Sequence, residues 1–224
     1  MGDVMDFPES YNKHLANSTT TKIGQDMRGI LPYNWNNIGF RADTDYNESE
    51  TEACCFFGNA FTSAVGIEWQ NSYASLTAKK LGLKCYNFSQ GCVPVDNIDI
   101  MNSVIKISQM QKFKPKFYFI QFTDLTRVFN PKNQALTLES DVVKNVKRFV
   151  DNFKRLEEAL ADQKWFFIGC DGSTFHPLPE YITNHKNCLI WNPAFFDKIL
   201  YGMPGEKWHY AISYGIIKKF NDEK

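Results

Sequence analysis

The sequence lacks the features that assign many chains to a functional class at first sight. No uninterrupted apolar run approaches the roughly 20 residues that cross a bilayer, so no membrane partner is expected. Lys plus Arg and Asp plus Glu both total 25, and the formal net charge is therefore zero. Because no overall field attracts a polyanion, no nucleic-acid partner is expected. The Walker phosphate loop and the dinucleotide-binding glycine pattern are also missing, so no cofactor is expected.

Metal-ligand spacing is missing as well. The sequence contains no CxxC pair and no Cys/His cluster at the spacing of a zinc site. The six cysteines lie at positions typical of strands: Cys54, Cys55, Cys85, Cys92, Cys170 and Cys188. Buried, reduced thiols and a cytoplasmic location are therefore predicted. Residues 1–14 are acidic and polar, so no export signal is expected there.

Length and composition favour one core. A chain of 224 residues with 43% hydrophobic content can bury a single sizeable core. Residues 1–50 are rich in Asn, Asp, Thr and Ser and show little apolar periodicity. We interpret them as an N-terminal arm that packs on the domain or on a partner. Residues 51–224 are predicted to form one α/β domain.

From residue 52 onward, short apolar runs alternate with amphipathic segments. The runs are typical of strands buried on both faces, which lack polar alternation. There are five of them: ACCFFG, KCYNFS, KFYFIQFT (116–123), WFFIGC (165–170) and NCLIW (187–191).

Helical spacing fills the intervals between these runs. The predicted helices are one through Tyr73, Leu76 and Leu81, one near 96–113, one from Leu138 to Leu160 and one from Trp208 to Phe220. Alternating strands and helices favour a parallel sheet that is covered on both faces. We therefore predict a three-layer, doubly wound (flavodoxin-like) α/β fold with a mainly parallel five-stranded sheet.

In such folds, ligands bind beyond the carboxyl ends of the strands. The turn after the first predicted strand is FFGNAFTSAVG, residues 56–66. A glycine followed by a small polar turn is the usual way to present a nucleophile at the end of a strand. Ala60 occupies the place where a serine would attack.

Four blocks of sequence resemble the SGNH (GDSL-type) hydrolase superfamily, and more narrowly the SGNH-like proteins of tailed phages that infect marine cyanobacteria. They are NNIGFRAD, CCFFGNAFTSAVGIEWQNSYASLTAKKLGLKCYNFSQG, FYFIQFTDLTR and YGMPGEKWHYAISYGI. The resemblance covers residues 37–70, 72–130 and 190–220. It implies hydrolysis of esters or acetyl groups, in which a serine attacks, a late histidine takes its proton, and backbone N–H groups hold the oxyanion.

The catalytic residues that the resemblance implies are largely replaced. The family's Gly-Asp-Ser-Phe-Thr turn matches residues 58–62, where Ala60 stands for the serine. The family's last block carries an aspartate and a histidine, but here it reads Tyr-Gly-Met-Pro-Gly at 201–205. The family likeness still implies an oxyanion or ligand cleft, lined by Gly58, Asn59, Gly91, Thr123 and Arg127.

The sequence offers two substitutes for the lost groups. Glu206 and His209 keep an acid three residues before a histidine, which is the spacing of an acid/base pair. The alternative is that His209 is a non-catalytic histidine of the closing helix, with Glu206 favouring the helix's first turn. Cys92 follows the predicted oxyanion glycine and is a candidate nucleophile, although a buried thiol is the plainer interpretation. His176 lies in a loop beside prolines that could overhang the site.

The sequence thus predicts a catalytically degenerate SGNH-like protein of phage origin. Its predicted role is to bind a glycan or acyl ligand, or to act as a structural partner in a phage particle or an infected host. The predicted location is the host cytoplasm or, alternatively, the virion. The alternative function is an esterase acting on acyl or acetylated glycan substrates through a rearranged site.

Overall fold

The computed structural model describes residues 15–23, 30–89, 95–125, 127–130, 135–138, 141–169, 180–190 and 205–222. The strands are β1 (Thr19–Ile23), β2 (Ile30–Asn34), β3 (Ala53–Phe57), β4 (Lys84–Asn87), β5 (Phe117–Gln121), β6 (Arg127–Asn130), β7 (Ala135–Leu138), β8 (Trp165–Ile168) and β9 (Cys188–Ile190). The helices are α1 (Tyr73–Leu81), α2 (Asn97–Ser108), α3 (Val142–Ala159), α4 (Glu180–Thr183) and α5 (Glu206–Asp222).

Five parallel strands form the central sheet in the order β4-β3-β5-β8-β9. Counted within this sheet, the order is 2-1-3-4-5, which is the flavodoxin-like arrangement. The predicted fold class and all five predicted strands are therefore confirmed.

Burial on both faces explains why these strands read as continuous apolar runs. Every residue of β3 is buried. Its side chains alternate between two cores, with Cys55 and Phe57 in one and Cys54 and Phe56 in the other. A strand between two helical layers has no polar face.

In the part of the chain that the structure describes, two long helices cover each face of the sheet. Helices α2 and α3 pack together over the Cys55 side, where α3 contributes Phe149 and Phe153. Helices α1 and α5 pack together over the Cys54 side, where α5 contributes Trp208 and Ile212. None of the helices in these described ranges is both long enough and apolar enough to cross a membrane.

The start predicted for the third helix was wrong. Leu138 belongs to β7, where it pairs with Arg127 of β6 in an antiparallel hairpin. The helix begins at Val142 because the side chain of Asp141 accepts a hydrogen bond from the Lys144 N–H at 2.9 Å and so caps its first turn.

Part of the segment interpreted as an arm forms a second hairpin, β1–β2, whose strands are antiparallel. Tyr33 in β2 and Trp35 and Phe40 after it are buried. Phe40 joins the core on the Cys55 side, and Ala42 joins the core on the Cys54 side. Phe40 and Ala42 therefore pack into the two cores that flank the central sheet.

Candidate functional site

The turn after β3 presents residue 60 at the carboxyl edge of the sheet. The Asn59 side chain accepts a hydrogen bond from the Phe61 N–H at 2.9 Å, and the Ala60 carbonyl accepts one from the Val65 N–H at 3.0 Å. Gly58, Asn59 and Phe61 are buried, whereas Ala60 is partly exposed. The turn thus leaves residue 60 partly exposed, and its side chain is a methyl group without nucleophilic character.

Close packing beneath the turn requires a glycine at position 58. A Cβ atom there would overlap the Thr62 side chain and would lie 3.1 Å from Cβ of Gln121. The Thr62 hydroxyl is fixed by hydrogen bonds to the Tyr73 hydroxyl at 2.8 Å and to Oε1 of Gln121 at 3.3 Å. Any side chain at position 58 would push the turn away from β5.

Arg41 anchors the buried side of the turn that follows β3. Arg41 is 2% exposed, and its guanidinium donates hydrogen bonds to the carbonyl oxygens of Ser63 (2.9 Å), Ala64 and Ile67 (2.7 Å). It lies 3.6 Å from the centroid of the Tyr33 ring, a cation–π contact. The anchored turn includes a backbone that L-residues rarely adopt, since φ is 54° at Ala64.

A polar network ties this turn to the segment after β4. The Asn87 amide donates to the Arg41 carbonyl at 2.7 Å, and Oδ1 of Asn87 accepts from the Ser89 N–H at 3.0 Å. The hydroxyls of Ser63 and Ser89 lie 2.6 Å apart. Predicted site residues Gly91 and Cys92 follow this segment and lie outside the described residues.

Thr123 lies at the same edge, two residues beyond the end of β5. Asn97 brackets its backbone: the Thr123 N–H donates to Oδ1 at 2.8 Å, and the Asn97 amide donates to the Thr123 carbonyl at 2.9 Å. The Thr123 hydroxyl is fully buried and has no hydrogen-bond partner among the described residues. Arg127 opens β6, and the structure describes its backbone only.

Glu206 and His209 both lie in the first turn of α5, but their side chains have separate partners. The Glu206 carboxylate accepts a hydrogen bond from the Asn71 amide at 2.8 Å. Nδ1 of His209 accepts one from the backbone N–H of Tyr73 at 3.0 Å, and the imidazole stacks on the Tyr73 ring. Because Nδ1 accepts, the ring is neutral and carries its proton on Nε2.

His209 is almost completely buried, at 1% exposure. Burial is the main reason that its pKa falls to about 3, and the positive charge of Arg41 lowers it further. A neutral imidazole whose Nδ1 lone pair is already occupied has little capacity to remove a proton from a nucleophile.

Several predicted site residues lie outside the described part of the chain: His176 and the Tyr201–Pro204 stretch. Gly58, Asn59, Ala60 and Thr123 meet at one edge of the sheet. The anchoring roles of Arg41 and Tyr73 were not predicted, although Arg41 lies in the NNIGFRAD block. Within the described ranges, no three His, Cys, Asp or Glu side chains converge as metal ligands.

The chain matches no protein-family model and no curated protein. Its structure is similar to that of a family two carbohydrate esterase from Clostridium thermocellum in complex with cellohexaose, with 14% identity and a TM-score of 0.52 over 80% of this chain and 66% of that one. It is also similar to a putative G-D-S-L family lipolytic protein from Desulfitobacterium hafniense, with 12% identity and a TM-score of 0.51 over 75% and 99% of the two chains.

A third similar structure is a carbohydrate esterase whose active site displays divergent catalytic and non-catalytic binding functions. Its identity is 16% and its TM-score 0.51, over 84% of this chain and 71% of that one. The chain thus spans about two thirds of the length of the carbohydrate esterases that it resembles. At these identities the likeness establishes the fold of the SGNH (GDSL-type) hydrolases and leaves the activity open.

Proposed function

We propose that this protein uses the SGNH hydrolase fold to bind a glycan without hydrolysing it, at the carboxyl edge of its central sheet. The observation that carries the proposal is Ala60, a methyl group on a turn that still presents its residue 60 to solvent. The turn is anchored by Arg41 and by the polar network through Asn87. A scaffold that keeps this geometry without a nucleophile retains a surface for binding.

The loss of an acid/base group supports the proposed absence of hydrolysis. Removing a triad serine alone costs several orders of magnitude in rate. The sequence also replaces the family's aspartate and histidine, and His209 is buried with Nδ1 engaged by Tyr73. An unidentified nucleophile would therefore have to act without help from this histidine.

The choice of ligand follows from the structural neighbours. One family two carbohydrate esterase of this fold was obtained in complex with cellohexaose. Another carbohydrate esterase of this fold displays non-catalytic binding in its active site. We therefore propose a gluco-oligosaccharide as the ligand class, and cellohexaose as the first compound to test.

Isothermal titration calorimetry with cellohexaose tests binding. We expect saturable binding to the unmodified protein and loss of that binding in Ala60→Trp, because an indole at the partly exposed position 60 would cover the proposed binding surface. Lys112→Gln, at an exposed position distant in sequence, is the matched control. Absence of binding, or equal binding by Ala60→Trp, contradicts the proposal.

Hydrolysis of p-nitrophenyl acetate separates this proposal from the alternative of an esterase with a rearranged site, which the esterase neighbours favour at the level of fold. We expect no turnover above buffer for the unmodified protein. Turnover that is lost in His209→Asn while urea unfolding shows the variant to be folded would instead establish an esterase that uses His209.

A viral origin is part of the proposal and rests on the four sequence blocks. It entails a protein partner in a phage particle or in the infected cell, and a location in the host cytoplasm or the virion. Mass spectrometry of purified particles and of infected-cell lysate tests it. Recovery of the chain from neither source contradicts this part.

A further inference from the structure

A cleft of about 640 Å³ opens at the amino ends of β5 and β8, on the edge of the sheet opposite the Ala60 turn. The start of both strands, the segment after α3, residues 185–187 and the end of α5 line it. Its volume lies within the range of about 300–1,000 Å³ that is usual for small-molecule sites. We propose that this cleft binds a small anionic ligand with a planar, apolar body.

Aromatic rings form one wall of the cleft. Phe220 packs edge-on against Phe117, with ring centroids 4.8 Å apart, and lies 4.9 Å from Phe166. Phe117 and Phe220 are partly exposed, so the rings meet solvent. Trp165 adds a ring on the other side of β8. Such a wall offers a planar ligand an apolar surface for stacking.

The part of the lining formed by residues 185–187 is held in place by hydrogen bonds before a ligand binds. Nδ1 of His185 accepts a hydrogen bond from the Asn187 N–H at 3.1 Å, so the ring proton is on Nε2. Nε2 donates a hydrogen bond to the Glu157 carboxylate at 3.0 Å. Nζ of Lys219 donates to the carbonyls of Lys186 and Cys188, each at 2.8 Å. A wall held in this way loses little conformational entropy when a ligand binds.

The charge at the rim is positive. Lys164 and Lys186 are exposed, and neither forms an ion pair with another described residue. Nζ of Lys164 lies 6.0 Å from the Phe117 ring centroid, which places an ammonium beside the aromatic wall. Among the described residues of the lining, Glu157 is the acidic one, and one of its oxygens already accepts from His185. Two ammonium groups against one carboxylate favour an anion over a neutral ligand.

Two matched dyes test the proposal. The probe is 8-anilinonaphthalene-1-sulfonate, an anion with a planar aromatic body, and its partner is N-phenyl-1-naphthylamine, which has the same body without the sulfonate. Fluorescence titration of the full chain should give saturable sulfonate binding at one site. The double variant Lys164→Gln/Lys186→Gln should weaken binding of the sulfonate about tenfold and leave binding of the neutral dye unchanged.

Three controls make the result specific. Lys79→Gln/Lys80→Gln removes two exposed lysines from α1 and should change neither affinity. Phe220→Ala should weaken both dyes, since it removes part of the wall. Ala60→Trp should leave both unchanged, so the outcome does not depend on glycan binding at the other edge.

Equal binding of the sulfonate by the Lys164/Lys186 variant and the unmodified protein would overturn the proposal. Equal losses of affinity for both dyes in the Lys164/Lys186 variant would also overturn it. So would sulfonate binding to the unmodified protein that requires many sites. Urea unfolding of each variant verifies that the lysine substitutions leave the fold intact, and these exposed positions are expected to tolerate them.

Discussion

The backbone N–H of Tyr73, the first residue of α1, donates a hydrogen bond to Nδ1 of His209, in the first turn of α5, at 3.0 Å. An N–H in the first turn of a helix has no partner within the helix, so an acceptor from elsewhere must satisfy it when it is buried. The bond joins two residues 136 positions apart, and the two rings stack with centroids 5.8 Å apart. His209 therefore fastens the two helices of one layer together.

This role makes the stability of the protein depend on pH. The pKa of His209 is about 3 in the folded protein, first because of burial and second because of Arg41, against about 6.5 in an unfolded chain. Between these values the unfolded chain binds a proton that the folded chain does not. The contribution of His209 to the free energy of unfolding is therefore fully present above about pH 6.5. It falls as the pH drops, by up to about 1.4 kcal/mol per pH unit.

Urea unfolding of the unmodified protein and of His209→Asn from pH 8 to pH 5 checks this prediction. Asparagine can still accept from Tyr73 but does not titrate in this range, so the variant should be less stable at pH 8 and lose less on acidification. Two curves that fall in parallel would show that His209 is not the group responsible.

Arg41→Lys should destabilise the protein by about 3 kcal/mol, because one ammonium cannot reach the three carbonyls that the guanidinium holds. Arg155→Lys is the matched control: Arg155 is exposed and its side chain bonds to Asn152, so the change should cost less than about 0.5 kcal/mol. Urea unfolding measures both. Equal costs would mean that the carbonyl contacts of Arg41 contribute little.

Gly58→Ala should cost about 3 kcal/mol, because the added methyl overlaps the Thr62 side chain and the packed turn cannot yield freely. Gly82→Ala provides the comparison: a Cβ there meets no atom within 4 Å, and its cost of about 1 kcal/mol comes from φ of 69° alone. Thermal unfolding of both variants ranks them. A smaller loss for Gly58→Ala than for Gly82→Ala would contradict the packing described for the turn.

Three buried cysteine thiols should be unreactive in the native protein. Burial raises the pKa of Cys54, Cys55 and Cys85, and it raises the pKa of Cys188 to about 11. We expect iodoacetamide at pH 8 to leave the first three unmodified in the native protein and to modify them in 6 M guanidinium. Peptide mass spectrometry reads each site. Native labelling of Cys55 at the rate of the unfolded chain would contradict its burial.

The sequence was sufficient to locate the five strands and four main helices of the fold. Strands between two helical layers are apolar throughout, and a helix against a sheet repeats its apolar residues every three to four positions. The β1–β2 and β6–β7 hairpins were missed, because TTTKI, ILPYN, RVFN and ALTL have no comparable pattern. Their strand state depends on the neighbour with which each pairs.

The candidate site was predictable in part. The glycine turn after the first strand of the sheet indicated which edge holds the site, and the sequence of that turn contains Ala60. The spacing of Glu206 and His209 was equally compatible with an acid/base pair and with a helix start. Sequence spacing sets which residues share a turn of helix, but not which neighbour each side chain meets.

What the sequence by itself determined is the order of strands and helices and the residue types at the turn, because local propensity and hydrophobic period are properties of neighbouring residues. Only the tertiary structure decided which groups Arg41 and His209 contact. Arg41 bonds to carbonyls 22 to 26 residues away, and His209 bonds to a backbone N–H 136 residues away. Contacts at such separations form only when the layers pack, since burial removes water as the competing partner and makes each protein hydrogen bond necessary.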